Sequence, residues 1–320
     1  MKILIADPFP ESRRRALGDA GHRITFEPAL QGDALCQTLA DHQILVVRST
    51  RVDAAAIDAG AALQLVIRAG AGTNTIDKAH AAGRGVRVCN VPGANAMAVA
   101  ELVFGLMIAI DRRIADNVID LRNRQWNKKR YAQARGLHGR TLGILGLGAI
   151  GVAVAQRAQA FGMRVRALKK PQRAAATEGT ARDLEIAEAD SIEALAAASD
   201  IISLHLPLTP ETERIVDHAF LAAMPDRAIL INTARGELID EAALIRAMDH
   251  KGIRAGLDVY QGEPAGGRAA FHSALAAHPH VTGTHHIGAS TEQAQTAVAD
   301  GVIRVVDAFE KGALLHCVNQ

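Results

Sequence analysis

Aromatic side chains are scarce in this chain: one Trp, two Tyr and seven Phe stand among 320 residues. A core built with so few of them falls to Ala, Leu, Val and Ile, the residues that pack helices onto parallel strands. Cysteine is nearly absent too. Cys36, Cys89 and Cys317 are odd in number, far apart in sequence and without C-x-x-C spacing. That excludes a disulfide framework and a cysteine zinc site, and it points to a reducing compartment. Net charge is only +2 and no block of like charge is longer than Lys128-Lys129-Arg130, so nucleic acid is not an expected partner. No run of about 18 apolar residues occurs, which speaks against a membrane span. A strand-like Lys2-Ile-Leu-Ile-Ala6 begins directly after Met1, so no signal peptide is expected and the cytoplasm is the default compartment.

What is present reads as an α/β protein of two ordinary domains. Its anchor is Thr141-Leu-Gly-Ile-Leu-Gly-Leu-Gly-Ala-Ile-Gly151. An apolar strand runs into Gly146-Leu147-Gly148-Ala149-Ile150-Gly151 and then into a good helix former over 152–161. Strand, glycine turn and helix in that order are the context a dinucleotide fingerprint requires. Gly146 permits the sharp turn, Gly148 lets backbone approach a pyrophosphate, and Gly151 lets the helix lie close on the sheet. The bare G-x-G-x-x-G spacing also suits an ordinary turn; the flanking strand and helix favour a nucleotide.

Before this turn, residues 1–90 alternate between strands (3–6, 44–47, 65–67, 86–88) and helices (11–20, 54–60), a pattern for a parallel sheet covered on both faces. Residues 95–122 carry apolar side chains on most faces and predict one long connecting helix, with a dimer surface as a second use. From Gly139 strands are predicted at 141–145, 164–168, 200–204, 228–232, 253–257 and 281–284, with helices between. The stretch 171–190 reads as a loosely held excursion, and 290–310 as a final helix.

Three polar clusters fall at predicted strand ends, where open α/β sheets bind ligands. Asn232-Thr-Ala-Arg235-Gly236 offers a guanidinium fork suited to a small carboxylate, although a surface arginine fits the same position. Gly256-Leu-Asp258-Val-Tyr-Gln-Gly-Glu263-Pro264 offers a carboxylate, and Thr284-His285-His286 offers imidazoles that also suit a hydrophilic loop. A glutamate in reach of a histidine would orient its ring. Such a histidine can pass a proton to a carbonyl oxygen while hydride reaches the carbon. No spaced partners accompany the histidines, so no metal is expected.

The chain resembles the D-isomer-specific 2-hydroxy acid dehydrogenases over essentially its whole length. The resemblance rests on RAGAGTNTID (68–77), NVPGANAMAVAEL (90–102), GLGAIG (146–151), SDIISLHLPLTPET (199–212), INTARGELIDEAAL (231–244), GLDVYQGEP (256–264) and HIGASTEQAQ (286–295). The two N-terminal motifs are most similar to phosphoglycerate dehydrogenases. The resemblance implies two doubly wound parallel-sheet domains. A Rossmann-type cofactor domain (93–289) would be inserted in a flavodoxin-like substrate domain built from 1–92 plus 290–320, with the two lobes closing over substrate in a homodimer. It implies Arg235 as the substrate-orienting arginine, Glu263 as the supporting carboxylate and His286, rather than His285, as the acid/base. Pro207, Thr233, Ala234 and Asp258 would border the nicotinamide, Ala149 and Ile150 the pyrophosphate, and backbone at Gly70, Ala71 and Gly72 the substrate carboxylate. No appended regulatory domain is expected after residue 320.

Two departures bear on specificity. Lys169 stands where NAD-using members carry an aspartate. An acidic residue there grips the ribose hydroxyls; Lys169, with Lys170 and Arg173, would instead neutralise a 2′-phosphate, which favours NADP while leaving NAD open. Phosphoglycerate also needs a second anionic subsite. Arg48 is the candidate, ahead of Arg51, although the family's R-S-x-T pattern is one residue shorter here. Glyoxylate or hydroxypyruvate reduction with NADP is the alternative function, and a cofactor-sensing corepressor-like binding protein is the rival of another class.

Overall fold

A computed structural model describes residues 1–169, 175–264 and 268–319, so the expectations resting on Lys170 and Arg173 lie outside the described residues. The chain divides into two compact units, Met1–Asn95 with Ala289–Gln320, and Ala96–Gly288. Among the described residues no helix is long and apolar enough to cross a membrane.

The first unit opens with β1 (Lys2–Ile5), α1 (Glu11–Asp19), β2 (Arg23–Phe26), α2 (Gly32–Leu39), β3 (Ile44–Val47), α3 (Ala54–Ala59), β4 (Leu65–Arg68), α4 (Lys78–Gly83) and β5 (Arg87–Asn90). Its five strands are parallel in the order β2-β1-β3-β4-β5, the flavodoxin-like order. The two-residue period of each strand sorts its side chains onto two faces. Ile3, Ile5, Ile44, Val46, Leu65 and Ile67 join one core cluster. Leu4, Leu45, Val47, Val66 and Val88 join the other, packed with Leu35, Leu39 and Ile57. Short all-apolar strands such as Ile44–Val47 are stable here because both faces are covered, each buried Leu or Ile contributing about 1.5–3 kcal/mol.

The second unit carries α5 (Ala96–Arg112), α6 (Ile114–Arg122), β6 (Thr141–Leu145), α7 (Ala149–Ala160), β7 (Arg164–Leu168), α8 (Ala175–Asp183), β8 (Ala187–Ala189), α9 (Ile192–Ala197), β9 (Ile201–Leu204), α10 (His218–Ala223), β10 (Ile229–Asn232), α11 (Glu241–Lys251), β11 (Arg254–Leu257) and β12 (Val281–Gly283). The sheet is parallel in the order β12-β11-β10-β9-β6-β7-β8. Counted within this unit, that is the dinucleotide-binding order with one further strand, and its direction reverses beside β6. One face packs α5 and α7 through Val103, Leu106, Met107, Val154 and Ala158. The other packs Leu195, Phe220, Leu244 and Met248. The chain then returns to the first unit through α12 (Glu292–Glu310), capped by the Thr291 side chain and packed through Val298, Val302 and Val305.

Three expectations need correction. The single helix expected over 95–122 is two helices, broken at Arg113, which takes a left-handed φ of 51°. Continuation would have Ile110 O accept from residue 114; instead Arg254 Nη1 donates to it at 2.8 Å. Arg113 pairs with Asp116, and the Asn117 amide donates to Arg113 O at 2.9 Å. Asp111, two residues before the break, is buried and accepts from Gly136 N–H and Arg140. Those partners are remote in sequence, so the break left no local sign. The excursion expected over 171–190 contains α8 and the short edge strand β8; Ala-Glu-Ala has no β-branched residue to announce it. Finally β2, α2 and α4, each eight residues or fewer, were missed in the first unit.

Candidate active site

The glycine turn is built as its chemistry demands. Gly146 takes φ 100°, and a Cβ there would lie 2.5 Å from His205 O. At Gly151 a Cβ would lie 2.2 Å from Gly146 O, so α7 can approach the turn only as glycine. Gly148 is the N-cap of α7 with no side-chain capping bond, and a Cβ there would meet nothing within 4 Å. The first N–H groups of α7, including those of Ala149 and Ile150, have no acceptor within the helix and lie at the positive end of its dipole. That cradle fits the pyrophosphate of a dinucleotide.

Lys169 follows β7, next to β6, and is exposed; its N–H donates to Ala189 O at 2.9 Å. On the other side of β6, the loop after β9 holds Pro207, whose carbonyl accepts from Thr212 Oγ1 at 2.7 Å. His205 begins this loop. Burial pushes its pKa down to about 3, Ser203 Oγ lies 2.9 Å from Nε2, and Nδ1 is buried without a partner. Sequence reasoning missed His205; its only sign was a histidine directly after an apolar strand.

After β10, the fully buried Asn232 side chain shapes the turn, donating to Arg235 O at 2.7 Å and accepting from Ala234 N–H at 3.0 Å. Thr233 Oγ1 is buried and has no hydrogen-bond partner, a polar atom that a bound nicotinamide group would satisfy. A Cβ at Gly236 would lie 2.2 Å from the Tyr260 carbonyl carbon. The loop bearing Arg235 is thus seated directly on the loop after β11.

That second loop ends in Glu263, whose Oε1 is hydrogen-bonded to His286 Nδ1 and whose Oε2 accepts from Tyr260 N–H at 3.2 Å. Burial acts to raise the Glu263 pKa. The hydrogen bond and charge of His286, the Tyr260 N–H and the charge of Arg235 nevertheless hold it below the ordinary glutamate value. Carboxylate and imidazole are thus in direct contact, and the charge of Arg235, whose guanidinium donates to Ala234 O, reaches the same carboxylate. Asp258, buried behind them, accepts from Thr284 Oγ1 at 2.6 Å, Ile287 N–H at 2.8 Å and Gly288 N–H at 2.9 Å. Both its oxygens are occupied by the loop that bears His286. Sequence reasoning placed Asp258 toward the cofactor and missed this holding function. His285 is exposed.

In the first unit, Arg48 follows β3. Its N–H donates to Asp7 Oδ2 at 2.6 Å and its guanidinium to Ser290 Oγ at 3.2 Å. The buried Asp7 also accepts from Ser49 and Thr50. Ala71 and Gly72 follow β4, and Asn90 Nδ2 donates to Ala71 O at 2.6 Å. Among the described residues no group of His, Cys, Asp and Glu is placed to hold a metal ion.

Residues 104–288 match the model of the D-isomer specific 2-hydroxyacid dehydrogenase, NAD binding domain. The chain belongs to the D-isomer specific 2-hydroxyacid dehydrogenase family. Within this family it is 37% identical to a D-3-phosphoglycerate dehydrogenase of Methanocaldococcus jannaschii, over 99% of this chain and 59% of that one. It thus spans about three fifths of that relative's length. It is 38% identical to a hydroxypyruvate reductase of Thermotoga maritima, over 93% of this chain and 94% of that one. The crystal structure of an NAD+-bound 3-phosphoglycerate dehydrogenase of Entamoeba histolytica superposes with a TM-score of 0.82 at 29% identity, covering 100% of this chain and 99% of that one.

Proposed function

We propose that this family member transfers hydride between NAD(P) and a D-2-hydroxy acid or its 2-keto acid, with a phosphoglycerate-like substrate. The observation that carries the reading is the hydrogen bond between Glu263 and His286, with the charge of Arg235 acting on the same Glu263. A nicotinamide dinucleotide, when bound, would supply the hydride chemistry. Gly146, Gly148, Ala149, Ile150 and Gly151 hold the pyrophosphate, while Pro207, Thr233, Ala234 and Asp258 border the nicotinamide. Arg235 orients the substrate through its carboxylate. His286, bonded to Glu263 through Nδ1, uses Nε2 to protonate the keto oxygen during reduction and to remove the hydroxyl proton during oxidation. Glu263 stabilises the charged imidazole that this exchange requires. Ala71 and Gly72 give backbone N–H groups to the substrate carboxylate, and Arg48 binds a second anionic group.

A second reading, an NADP-dependent glyoxylate or hydroxypyruvate reductase, is favoured by the exposed Lys169, whose charge suits a 2′-phosphate. The 38% identity to the Thermotoga maritima hydroxypyruvate reductase supports it too. Steady-state assays of phosphoglycerate, hydroxypyruvate, glyoxylate and pyruvate-type acids with both nicotinamides separate the two. Absence of turnover with every acid, in a protein that still binds cofactor, would overturn the enzymatic reading. We also propose a homodimer, supported by apolar exposure on α6 and beyond it: Ile119 and Leu121 are each 55% exposed and Trp126 is 83% exposed. Light scattering coupled to size exclusion tests the dimer; a monomer at micromolar concentration removes it.

A further inference from the structure

The C-terminal segment is laid antiparallel along β5, the edge strand of the first unit's sheet. Val318 N–H donates to Val88 O at 2.8 Å, and Asn90 N–H donates to His316 O at 3.2 Å. The buried Asn319 side chain closes the seam, accepting from Val88 N–H at 2.7 Å and donating to Val86 O at 2.8 Å. Those backbone bonds flank Cys89 and Cys317, which stand directly opposite each other as a bridged pair. The bonds belong to the residues on either side, so this is a non-hydrogen-bonded antiparallel pair. In such pairs the Cα atoms lie about 4.5 Å apart and the side chains project from the same face. A disulfide spans Cα separations of roughly 4.4–6.8 Å. Two thiols from the two separate segments of the first unit thus occupy the register that suits a cross-strand disulfide. Both are free thiols.

We propose that Cys89 and Cys317 are a reversible disulfide site, oxidised by hydroperoxides and reduced by dithiols. Cys317 is partly exposed and Cys89 is fully buried, so Cys317 reacts first. Its thiolate sulfur attacks a peroxide oxygen, the O–O bond breaks, and Cys317 becomes a sulfenic acid as the second oxygen leaves as water. The Cys89 sulfur then attacks the Cys317 sulfur. The S–S bond forms, the S–O bond breaks, and the departing hydroxide takes the Cys89 proton as water. Two thiols lose two electrons and one hydrogen peroxide gains them. This order also agrees with the Cys89 thiol being pushed up to about 12 by burial, with Cys317 beside it adding to the effect. A buried neutral thiol is inert toward solutes, so the peroxide meets Cys317 first. The consequence follows from the chain path. The first unit is made of two separate segments, and this bond joins them covalently, closing a loop that contains the whole second unit. Its stabilising effect acts mainly on the unfolded chain.

The test treats the purified full chain with a few equivalents of hydrogen peroxide and counts free thiols after denaturation. The expected count falls from three to one. A non-reducing tryptic digest yields residues 88–112 linked to residues 312–320, two hydrogens lighter than their sum, and dithiothreitol separates them. Oxidised protein melts several degrees above reduced protein, and Cys317→Ser abolishes that shift while Cys36→Ser retains it. Consumption of the Cys36 thiol, sulfinic acid at Cys317 with no linked pair, or linkage only between chains would overturn the proposal. The linked peptide is read in the unmutated protein, so a variant that fails to fold leaves the test intact.

Discussion

Asp258 holds His286 from behind: the His286 N–H donates to Asp258 O at 2.8 Å, and the Asp258 carboxylate gathers the side chain of Thr284 and the N–H groups of Ile287 and Gly288. His286 itself sits at a φ of 51°, in the left-handed region, a conformation that persists only where its surroundings impose it. Asp258→Asn puts an N–H₂ group against donors and leaves at least one of them unsatisfied, at a cost of about 1–3 kcal/mol. The expected result is a lower thermal midpoint together with a fall in turnover, because the imidazole loses its fixed aim. Unchanged melting with unchanged kcat would show that the loop needs no such anchor.

His286→Gln removes the proton donor and keeps a polar side chain. Turnover should fall about 10²- to 10⁴-fold, the range of a lost general acid. Cofactor affinity, measured by fluorescence titration, should stay within about threefold of the original, since the pyrophosphate cradle of α7 is untouched. Loss of cofactor binding would place His286 in a different role.

Glu263 supplies a pH dependence whose sign is fixed. Its folded pKa lies below the ordinary 4.5, because His286 and Arg235 outweigh the opposing effect of burial. A carboxylate lowered in the folded state contributes stability that is present above its unfolded pKa and lost as pH falls through its folded pKa. The native protein should therefore melt above Glu263→Gln near neutral pH. The difference should shrink as pH drops below about 4.5. A gap that widens on acidification would contradict the assignment of this pair.

Much of this was readable along the chain, for reasons that are local. The strand–turn–helix order around Gly146, Gly148 and Gly151 follows from apolar periodicity and three glycines, and the polar clusters at 232–236, 256–264 and 284–286 follow strands of strongly apolar composition. What escaped depends on partners distant in sequence. The helix break at Arg113 is set by Arg254 and by the buried Asp111 with Arg140. Asp258 reads from sequence as a cofactor-side residue, and its hold on Thr284 and Gly288 emerges only in the fold. Cys89 and Cys317, isolated in the sequence, become neighbours only through the return of the chain along β5.

Gly148 and Gly151 should separate binding from folding. A methyl group at Gly148 meets nothing within 4 Å, whereas one at Gly151 meets Gly146 O at 2.2 Å. Gly148→Ala is expected to melt normally and to bind nicotinamide dinucleotide at least about tenfold more weakly, because the added carbon stands where phosphate oxygens approach. Gly151→Ala forces backbone apart and should lower stability by about 1–3 kcal/mol, as overpacking does. Equal loss of stability in both variants would remove the distinction.

Lys169 tests the cofactor choice. It follows β7 beside the strand that ends in the glycine turn, with its backbone fixed to Ala189 and its side chain exposed. Two unit charges about 4 Å apart gain about 1–4 kcal/mol between bulk water and a protein surface, and each 1.4 kcal/mol is about tenfold in affinity. Lys169→Asp should therefore weaken NADP binding by roughly five- to several-hundredfold and tighten NAD binding, since a carboxylate accepts from the ribose hydroxyls and repels a 2′-phosphate. Raised salt should diminish the NADP preference of the unaltered protein, because the pyrophosphate is common to both cofactors and only the 2′-phosphate pair is screened differently. Dissociation constants for both cofactors in the two proteins decide it: a ratio that does not move on substitution would mean that the 2′ position is read by other groups, and Lys169 would revert to a solvated surface lysine.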